Sequence, residues 1–432
     1  MIKGLFKKGI ILALEREAQS VLKKYNPKIV AITGSVGKTS TKDAINTALS
    51  KFYSTRASLK SFNSDIGIPL TILDVPNAGT SPLAWTKNLI EGLKLILLPN
   101  HYPEWLVIEV GADHPGDIKK IASWLSPNIV VVTRLSEVPV HVEFFESPQQ
   151  LFEEKGELVK VLKNGGTLVL NADDNNILNY KNLTKEKVIL YGNSDEADLS
   201  AMNYEIVYDE NDFPKGITFV VKSGEEELPI FIAGTVGLHH TQHILAALAV
   251  CKTLGEHLSV AANSFKNHEP TPGRMRILKG LNRSIIIDDT YNSSPVAVIE
   301  ALNTFEDLKK SKRSIAVLGD MLELGKYSID EHKKCGVKTK EVVDVLITVG
   351  VRAKFFIEGA MSVGMKEKQI HQFDTSIEAG KFLQSFIKEG DTVLVKGSQG
   401  MRMERAVEQI MMCPEEKERL LVRQDKEWQG RV

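Results

Sequence analysis

The chain has 432 residues, too many for one ordinary core, so two or three domains are expected. A hydrophobic content of 43% and a charged content of 25% are those of a globular protein in water, and a net charge of −1 gives no bulk electrostatic case for nucleic acid or an anionic membrane. Cys251, Cys335 and Cys413 are odd in number and far apart, which argues against a disulfide framework or a zinc site and for reduced thiols in a cytoplasmic protein.

The first predicted element covers residues 1–26. Lys3, Lys7 and Lys8 precede the apolar run Ile10 to Leu14, but Glu15, Arg16 and Glu17 cut that run short, so it is neither a signal h-region nor a membrane span. Ile2, Phe6, Ile10, Leu14 and Val21 read as an amphipathic helix packed on the body of the protein. Contact of residues 1–24 with a membrane surface is the weaker alternative. Asn26-Pro27 ends the helix.

The apolar run Ile29 to Ile32 then enters Thr33-Gly34-Ser35-Val36-Gly37-Lys38-Thr39-Ser40, and Ile45, Ala48, Leu49 and Phe52 follow at helical spacing. A strand, a glycine turn and a helix in that order make a phosphate cradle. Lys38 can reach outer phosphates and the Thr39 hydroxyl can bind Mg²⁺. The general pattern G-x-x-x-x-G-K-[ST] needs Gly at position 32, where this chain has Ile32, so the loop is the shorter G-x-x-G-K-T. A chance Gly-Lys-Thr turn is the bland alternative.

Residues 54–74 read as a loop turning into an apolar run, and residues 75–104 as irregular, then helical around Trp85 to Leu98. Short Val/Ile/Leu runs at 105–110, 128–133, 167–171 and 188–191, with helical patterns between several of them, predict a parallel sheet. Residues 203–233 read as an antiparallel meander, followed by a helix from about Thr241 to Leu254. Pro270-Thr271-Pro272-Gly273 is a linker, after which strands recur at 284–288, 314–319, 343–349 and 392–396. The tail after Pro414 is charge-balanced and expected to be helical. The predicted fold is α/β: a central P-loop domain with a doubly wound, mostly parallel sheet and a small antiparallel meander, followed by a second Rossmann-like α/β domain. Its expected boundaries are an N-terminal helix at 1–26, a central domain at 27–268, a second domain at 273–412 and a tail at 413–432.

In open α/β sheets ligands bind beyond the carboxyl ends of the strands. Glu109 ends one strand and could hold Mg²⁺ or sit salt-bridged at the sheet edge. His141 follows another strand and could be a metal ligand, a phosphate contact or a surface residue. Glu153-Glu154-Lys155-Gly156-Glu157 reads by composition as a solvated helix start. His239 and His243 stand at i, i+4, a spacing that suits zinc, but no carboxylate or cysteine matches them, so a nucleotide-facing or interdomain role is favoured. Three polar turns, at Asp288 to Pro295, Gly319 to Gly325 and Lys396 to Arg402, leave one predicted sheet at the same edge and point to a binding face.

These motifs resemble the Mur ligases, ATP-dependent amide-forming enzymes of peptidoglycan synthesis, from about residue 29 to 410. The family's phosphate loop is the short T-G-[ST]-x-G-K-[TS]-[ST]. Asn63 to Leu70 resembles its N-x-x-x-G-x-P-L segment. Asp288 to Asn292, Gly319 to Gly325 and Lys396 to Glu404 are similar to D-D-x-Y-N, G-D-M-L-E-L-G and K-G-S-x-G-M-R-M-E of the subgroup that adds D-alanyl-D-alanine to a UDP-muramoyl-tripeptide. The resemblance implies that Gly34, Ser35, Gly37, Lys38, Thr39 and Ser40 bind ATP, and that Thr39, Glu109, His141 and Lys155 serve Mg²⁺. Lys155 matches the family's carbamylated lysine. Arg274 would reach a phosphate from the second domain, His243 would face the nucleotide, and Asp289 would contact the ribose or the interdomain face. Asn63, Asn292, Lys396 and Ser398 would bind substrate.

The implied reaction forms an acyl phosphate from ATP and a carboxylate, then an amide, with D-alanyl-D-alanine as the expected amine. Small-molecule substrates, no nucleic acid, a monomer and a cytoplasmic location are expected with it. The chain departs from the family pattern at Arg134, at His240 and His243 where asparagines stand, and at Ser293 and Ser294. Only about 28 residues precede the first strand, too few for the family's UDP-binding domain. A ligase of another acid and amine, as in folate polyglutamylation, and a catalytically silent nucleotide-binding subunit are the rival expectations.

Overall fold

The structure is a computed structural model that describes residues 2–58, 61–308, 312–425 and 428. The side chains of residues 2–8, among them Ile2 and Phe6, and the tail positions 426–427 and 429–432 lie outside the described residues. A helix, α1 (Ile2–Tyr25), leads into β1 (Lys28–Thr33), which continues into the phosphate loop and α2 (Lys38–Leu49). After β2 (Thr55–Ala57), α3 (Gly67–Leu73) and α4 (Pro82–Leu97) come β3 (Trp105–Glu109), β4 (Ile129–Val132), β5 (Thr167–Asn171) and β6 (Lys187–Tyr191). These strands form a parallel sheet in the order β2-β3-β1-β4-β5-β6. Both its faces are covered, which is why each inner strand is a near-continuous apolar run. Ile29 and Ala31 face a core shared with α1, and Val30 and Ile32 face another shared with α2 and the helix His239–Thr253. Ile32 is fully buried within β1, so the glycine of the longer loop pattern has no turn to make there.

The meander is β7 (Ser200–Tyr208), β8 (Pro214–Ser223) and β9 (Glu226–Ala233), with in–out alternation along β9 from Glu227 onward. A second sheet follows Gly273, itself at φ +70, from β10 (Arg276–Lys279), β11 (Ile285–Asp289), β12 (Arg313–Gly319), β13 (Val345–Val349), β14 (Ile370–Phe373) and β15 (Asp391–Lys396). Its order is β10-β11-β15-β12-β13-β14, parallel except for β10. The carboxyl ends of β11, β12 and β15 are neighbours, so the three polar turns do share one edge.

Three expectations need correction. The apolar run within 54–74, to which the sequence assigns no element, is the helix α3, and β2, β10 and β14 are strands the sequence did not reveal. Among the described residues the tail is helical over Pro414–Leu420 and then leaves the helix, with Leu421 and Val422 buried in extended or irregular chain. Glu154-Lys155-Gly156 is buried, not solvated: Glu154 accepts N–H bonds from Gly116, Ile118 and Lys119 at 2.7–3.0 Å, and this pulls its turn of helix into the core.

Candidate active site

The phosphate loop is fixed by two glycines and by β4. Gly34 is at φ +143, and a Cβ there would lie 2.0 Å from Thr133 Oγ1. Gly37 is at φ +84, where only a residue without Cβ fits, since His243 Cε1 would be 2.7 Å away. Ser35 and Val36 donate to the carbonyl of Arg134, which stitches the loop to the end of β4. The first N–H groups of α2 have no partner within the helix and open toward the loop. Lys38 folds its ammonium back onto the Gly34 carbonyl at 2.9 Å, and burial pulls its pKa down. This is the posture of a cation waiting for an anion.

Behind the loop, Thr39 Oγ1 donates to Glu109 Oε2 at 2.9 Å, and Asn63 Nδ2 donates to Glu109 Oε1 at 3.1 Å. Glu109 is buried, so both of its oxygens are held in place. Asn63 is thus a support for this carboxylate. Thr39 and Glu109 are hard oxygen donors suited to Mg²⁺. Among the described residues no group of three or more His, Cys, Asp or Glu side chains is disposed to hold a metal unaided. A cation would therefore complete its shell with phosphate oxygens and water, which is the habit of Mg²⁺. The zinc spacing of His239 and His243 likewise finds no third ligand among the described residues.

Lys38, Thr39, Glu109, His141 and Lys155 all line one chamber of about 490 Å³, closed on its far side by Tyr291, Asn292, Glu323 and Ser398 of the second sheet. Lys155 is buried, and burial together with the nearby charge of Lys38 lowers its pKa to about 7. His141, in a left-handed backbone conformation, lies 3.6 Å from Asp113 and 2.7 Å from Glu323, so it bridges the two halves of the wall. Glu323 is held below the usual carboxylate range by that contact. Arg274 stacks on Tyr291 with its guanidinium 4.0 Å from the ring centroid. Its Nε, Ser35 Oγ and Ser293 Oγ are buried in this wall without a protein partner, as expected of groups that meet a ligand.

A second chamber of about 540 Å³ adjoins the first across Val36, Gly37 and Arg274. Ser40, His239, His243, Asn171 and Asp173 form one side of it, and Glu300 and Asp307 the other. His243 Nδ1 lies 3.1 Å from Thr41 Oγ1. Burial keeps His239, His240 and His243 neutral, with His239 lowered to about 3, so these rings act as hydrogen-bonding and stacking groups. Asp289 and Lys396 line the same chamber but are paired with each other at 2.5 Å, and Lys396 also holds the Asn292 carbonyl. Ser398 Oγ accepts from Leu322 N–H at 2.8 Å, and Asn292 Oδ1 from Ser293 and Gln399 N–H. These four residues tie the three polar turns to one another.

Sequence reasoning assigned no site role to Ser61, Tyr291, Arg134, Glu300 or Arg423. Ser61 Oγ meets both Thr39 Oγ1, at 2.8 Å, and the Tyr291 hydroxyl. Arg134 pairs with Glu300 across the two sheets. Arg423 donates to the carbonyls of Thr290 and Tyr291 and to Glu404. The Asp-Thr-Tyr-Asn turn flagged Tyr291, but no local signal marks a partner some 230 positions away.

Residues 32–251 match the Mur ligase middle domain, and residues 273–399 match the Mur ligase, glutamate ligase domain. The UDP-N-acetylmuramoyl-tripeptide–D-alanyl-D-alanine ligase of Bacillus subtilis is 29% identical over 94% of this chain and 80% of its own length. That of Escherichia coli is 27% identical over 93% and 81%. Among solved structures, the MurF ligase of Thermotoga maritima in complex with ADP superposes with a TM-score of 0.75 at 24% identity, covering 92% of this chain and 83% of that one. MurF from Acinetobacter baumannii gives 0.74 at 23% identity, over 92% and 79%. The matched stretches contain the phosphate loop, Glu109, His141, Lys155, the first two polar turns and the start of the third, and the chain belongs to the Mur ligase family.

Proposed function

We propose that the protein is an ATP-dependent, ADP-forming carboxylate–amine ligase that joins D-alanyl-D-alanine to a UDP-muramoyl-tripeptide. The observation that carries this reading is the chamber in which the phosphate loop, Glu109 and Lys155 face Arg274, Tyr291 and Ser293. It has a phosphate cradle on one wall and polar turns on the other, with a nucleoside-sized cavity next to it. The names of the relatives support the acid and the amine.

In this reading the nucleoside lies against His239 and His243, and the triphosphate runs over Gly37 to Lys38. The substrate carboxylate attacks the γ-phosphate, giving an acyl phosphate and ADP; the amine then attacks the acyl carbon and phosphate leaves. Lys38 and Arg274 offset charge on the transferring group. A magnesium ion held by Thr39 and Glu109 would neutralise phosphate oxygens. Lys155, with a pKa near 7, carries a substantial fraction of neutral amine at neutral pH and can add CO₂. The resulting carbamate would put a carboxylate where the chamber otherwise holds two lysines. His141 is a further candidate near the phosphates, although its present partners are Asp113 and Glu323.

The test is phosphate release from ATP and Mg²⁺ with UDP-muramoyl-tripeptide and D-alanyl-D-alanine, each omitted in turn. Release that needs both supports the reading. Release only with other acid–amine pairs would reassign the substrates, and no acceptor-dependent release would overturn the ligase activity. Lys155→Ala is expected to lose at least about a hundredfold in kcat and to recover in part with added short carboxylates; an unchanged rate would remove the carbamate.

A further inference from the structure

The helix α4 presents an unusual outer face. Leu83, Ile90, Leu93 and Leu97 are 46–84% exposed and lie on one stripe at helical spacing. Lys87 and Lys94 are the charged residues within that stripe, which contains no acid. A solvent-facing stripe on a globular helix normally carries the polar residues, and here it carries the aliphatic ones. The inner face is conventionally packed, with Trp85, Asn88, Gly92 and Leu95 buried.

The neighbouring helix α1 has the same character. It packs along α4, and Lys24 and Tyr25 donate to the carbonyls of Leu95 and Leu98. Its exposed positions include Leu12, Arg16 and Lys23, again without an acid. Of the acids of the pair, Glu15 reaches Lys120 and Glu17 is turned inward against Gly92, while Glu91, at the flank of the stripe, pairs with Lys94 itself at 2.8 Å. Burial raises the Glu17 pKa to about 7, which weakens its negative charge further. In a chain of net charge −1 this concentration of aliphatic and cationic residues is local.

From this face we infer that α4, with α1 beside it, docks the protein on an anionic phospholipid surface. The aliphatic side chains would enter the acyl boundary while Lys87 and Lys94 meet phosphate headgroups. The 16-residue helix offers a contact about 24 Å long. Charge decides against a second copy of the chain as the occupant, because a two-fold contact would set these lysines against their own equivalents. The mode is attachment to the surface, since no described helix is long and apolar enough to cross a membrane.

The full chain is sedimented with large unilamellar vesicles of phosphatidylcholine, with and without 30 mol% phosphatidylglycerol, where the mole fraction is on the order of that in bacterial model membranes. Co-sedimentation with the anionic vesicles, reduced about tenfold in Ile90→Glu/Leu97→Glu and weakened in Lys87→Glu/Lys94→Glu, is the expected result. All variants should keep wild-type melting temperatures, because the replaced side chains are exposed. Three outcomes would overturn the inference: no binding to anionic vesicles, equal binding by the Glu variants, or wild-type dimerisation that the same substitutions abolish without any vesicle binding.

Discussion

At the scale of single residues, Lys155 is a group whose environment departs far from its ordinary chemistry while facing the candidate site. Its folded pKa, near 7, lies below the unfolded value of 10.5. Between those values the unfolded chain binds more protons, so stability rises with pH across this window and the benefit is lost as pH falls toward 7. Lys155→Met should therefore be more stable than the parent at pH 7 in CO₂-free buffer. That gain should shrink by up to about 1.4 kcal/mol per unit as pH is raised toward 10. Urea titrations at a series of pH values check this, and a pH-independent difference would mean the amine is not buried as described. Gly34→Ala tests the loop itself. With φ +143 and Thr133 Oγ1 2.0 Å from the new Cβ, a loss of at least about 2 kcal/mol is expected, together with loss of nucleotide binding by calorimetry. Both residues were legible in the sequence, but for different reasons. Gly34 follows from the turn chemistry of a short motif, whereas Lys155 was readable only through family resemblance. By composition alone its surroundings look like a solvated charge run, because burial by Glu154 depends on a turn nearly forty residues away.

At the scale of elements, the inner parallel strands were readable because both faces of each sheet are covered and each of these strands is an apolar run. The edge strands escaped for the converse reason. β2 reads Thr-Arg-Ala and is only half-buried, and β14 has no buried position, so neither carries a hydrophobic pattern. The tail is the element with the most unexpected role. Arg423 joins it to buried Glu404, which also binds Arg402, and to the backbone of Thr290 and Tyr291. Trp428 lies over Arg402 and lines the smaller chamber. Through Tyr291, Ser61 and Thr39 this chain of contacts reaches Glu109. Arg423→Met should cost about 3 kcal/mol, the usual penalty for breaking a buried pair. Tyr291→Phe should leave stability within about 0.5 kcal/mol but lower kcat about tenfold, since it removes the hydroxyl and keeps the stacking on Arg274. Equal kinetics for Tyr291→Phe and the parent would show that this contact positions nothing.

For the whole molecule, the parallel sheet meets the second domain through a few polar contacts, whereas the meander side packs Ile206, Tyr208, Phe213 and Val236 against the second domain's core and bonds to it at Val236–Met275 and Ile277–Gly234. Arg134–Glu300, His141–Glu323 and Ser61–Tyr291 span the gap, and Gly273 lies in the linker between them. An interface held in this way suits hinged closure on a ligand. Glu300→Gln is expected to weaken closure by on the order of 1 kcal/mol. Small-angle scattering without nucleotide should then show a larger radius of gyration for the variant, and saturating ATP should reduce the difference. Identical scattering curves in both conditions would argue that the lobes are rigidly joined. None of these cross-lobe pairs could be read from the chain, since each partner stands in a separate motif and only folding brings them together.

The arrangement of the two chambers has a consequence for inhibition. They adjoin at Val36, Gly37 and Arg274, so on the proposed reading the glycine turn would be a narrow sill between the nucleoside and the reacting acid and amine. On the proposed placement, a compound confined to the larger chamber would compete with ATP alone, whereas one in the smaller chamber, which holds the phosphate loop, would meet both the triphosphate and the acid or amine. A single molecule able to block both must cross the sill with a slender anionic linker, a phosphonate or phosphinate, lying where Lys38 and Arg274 would flank it. Bulk at that point would collide with the backbone of Gly37 and with His243, which packs against it.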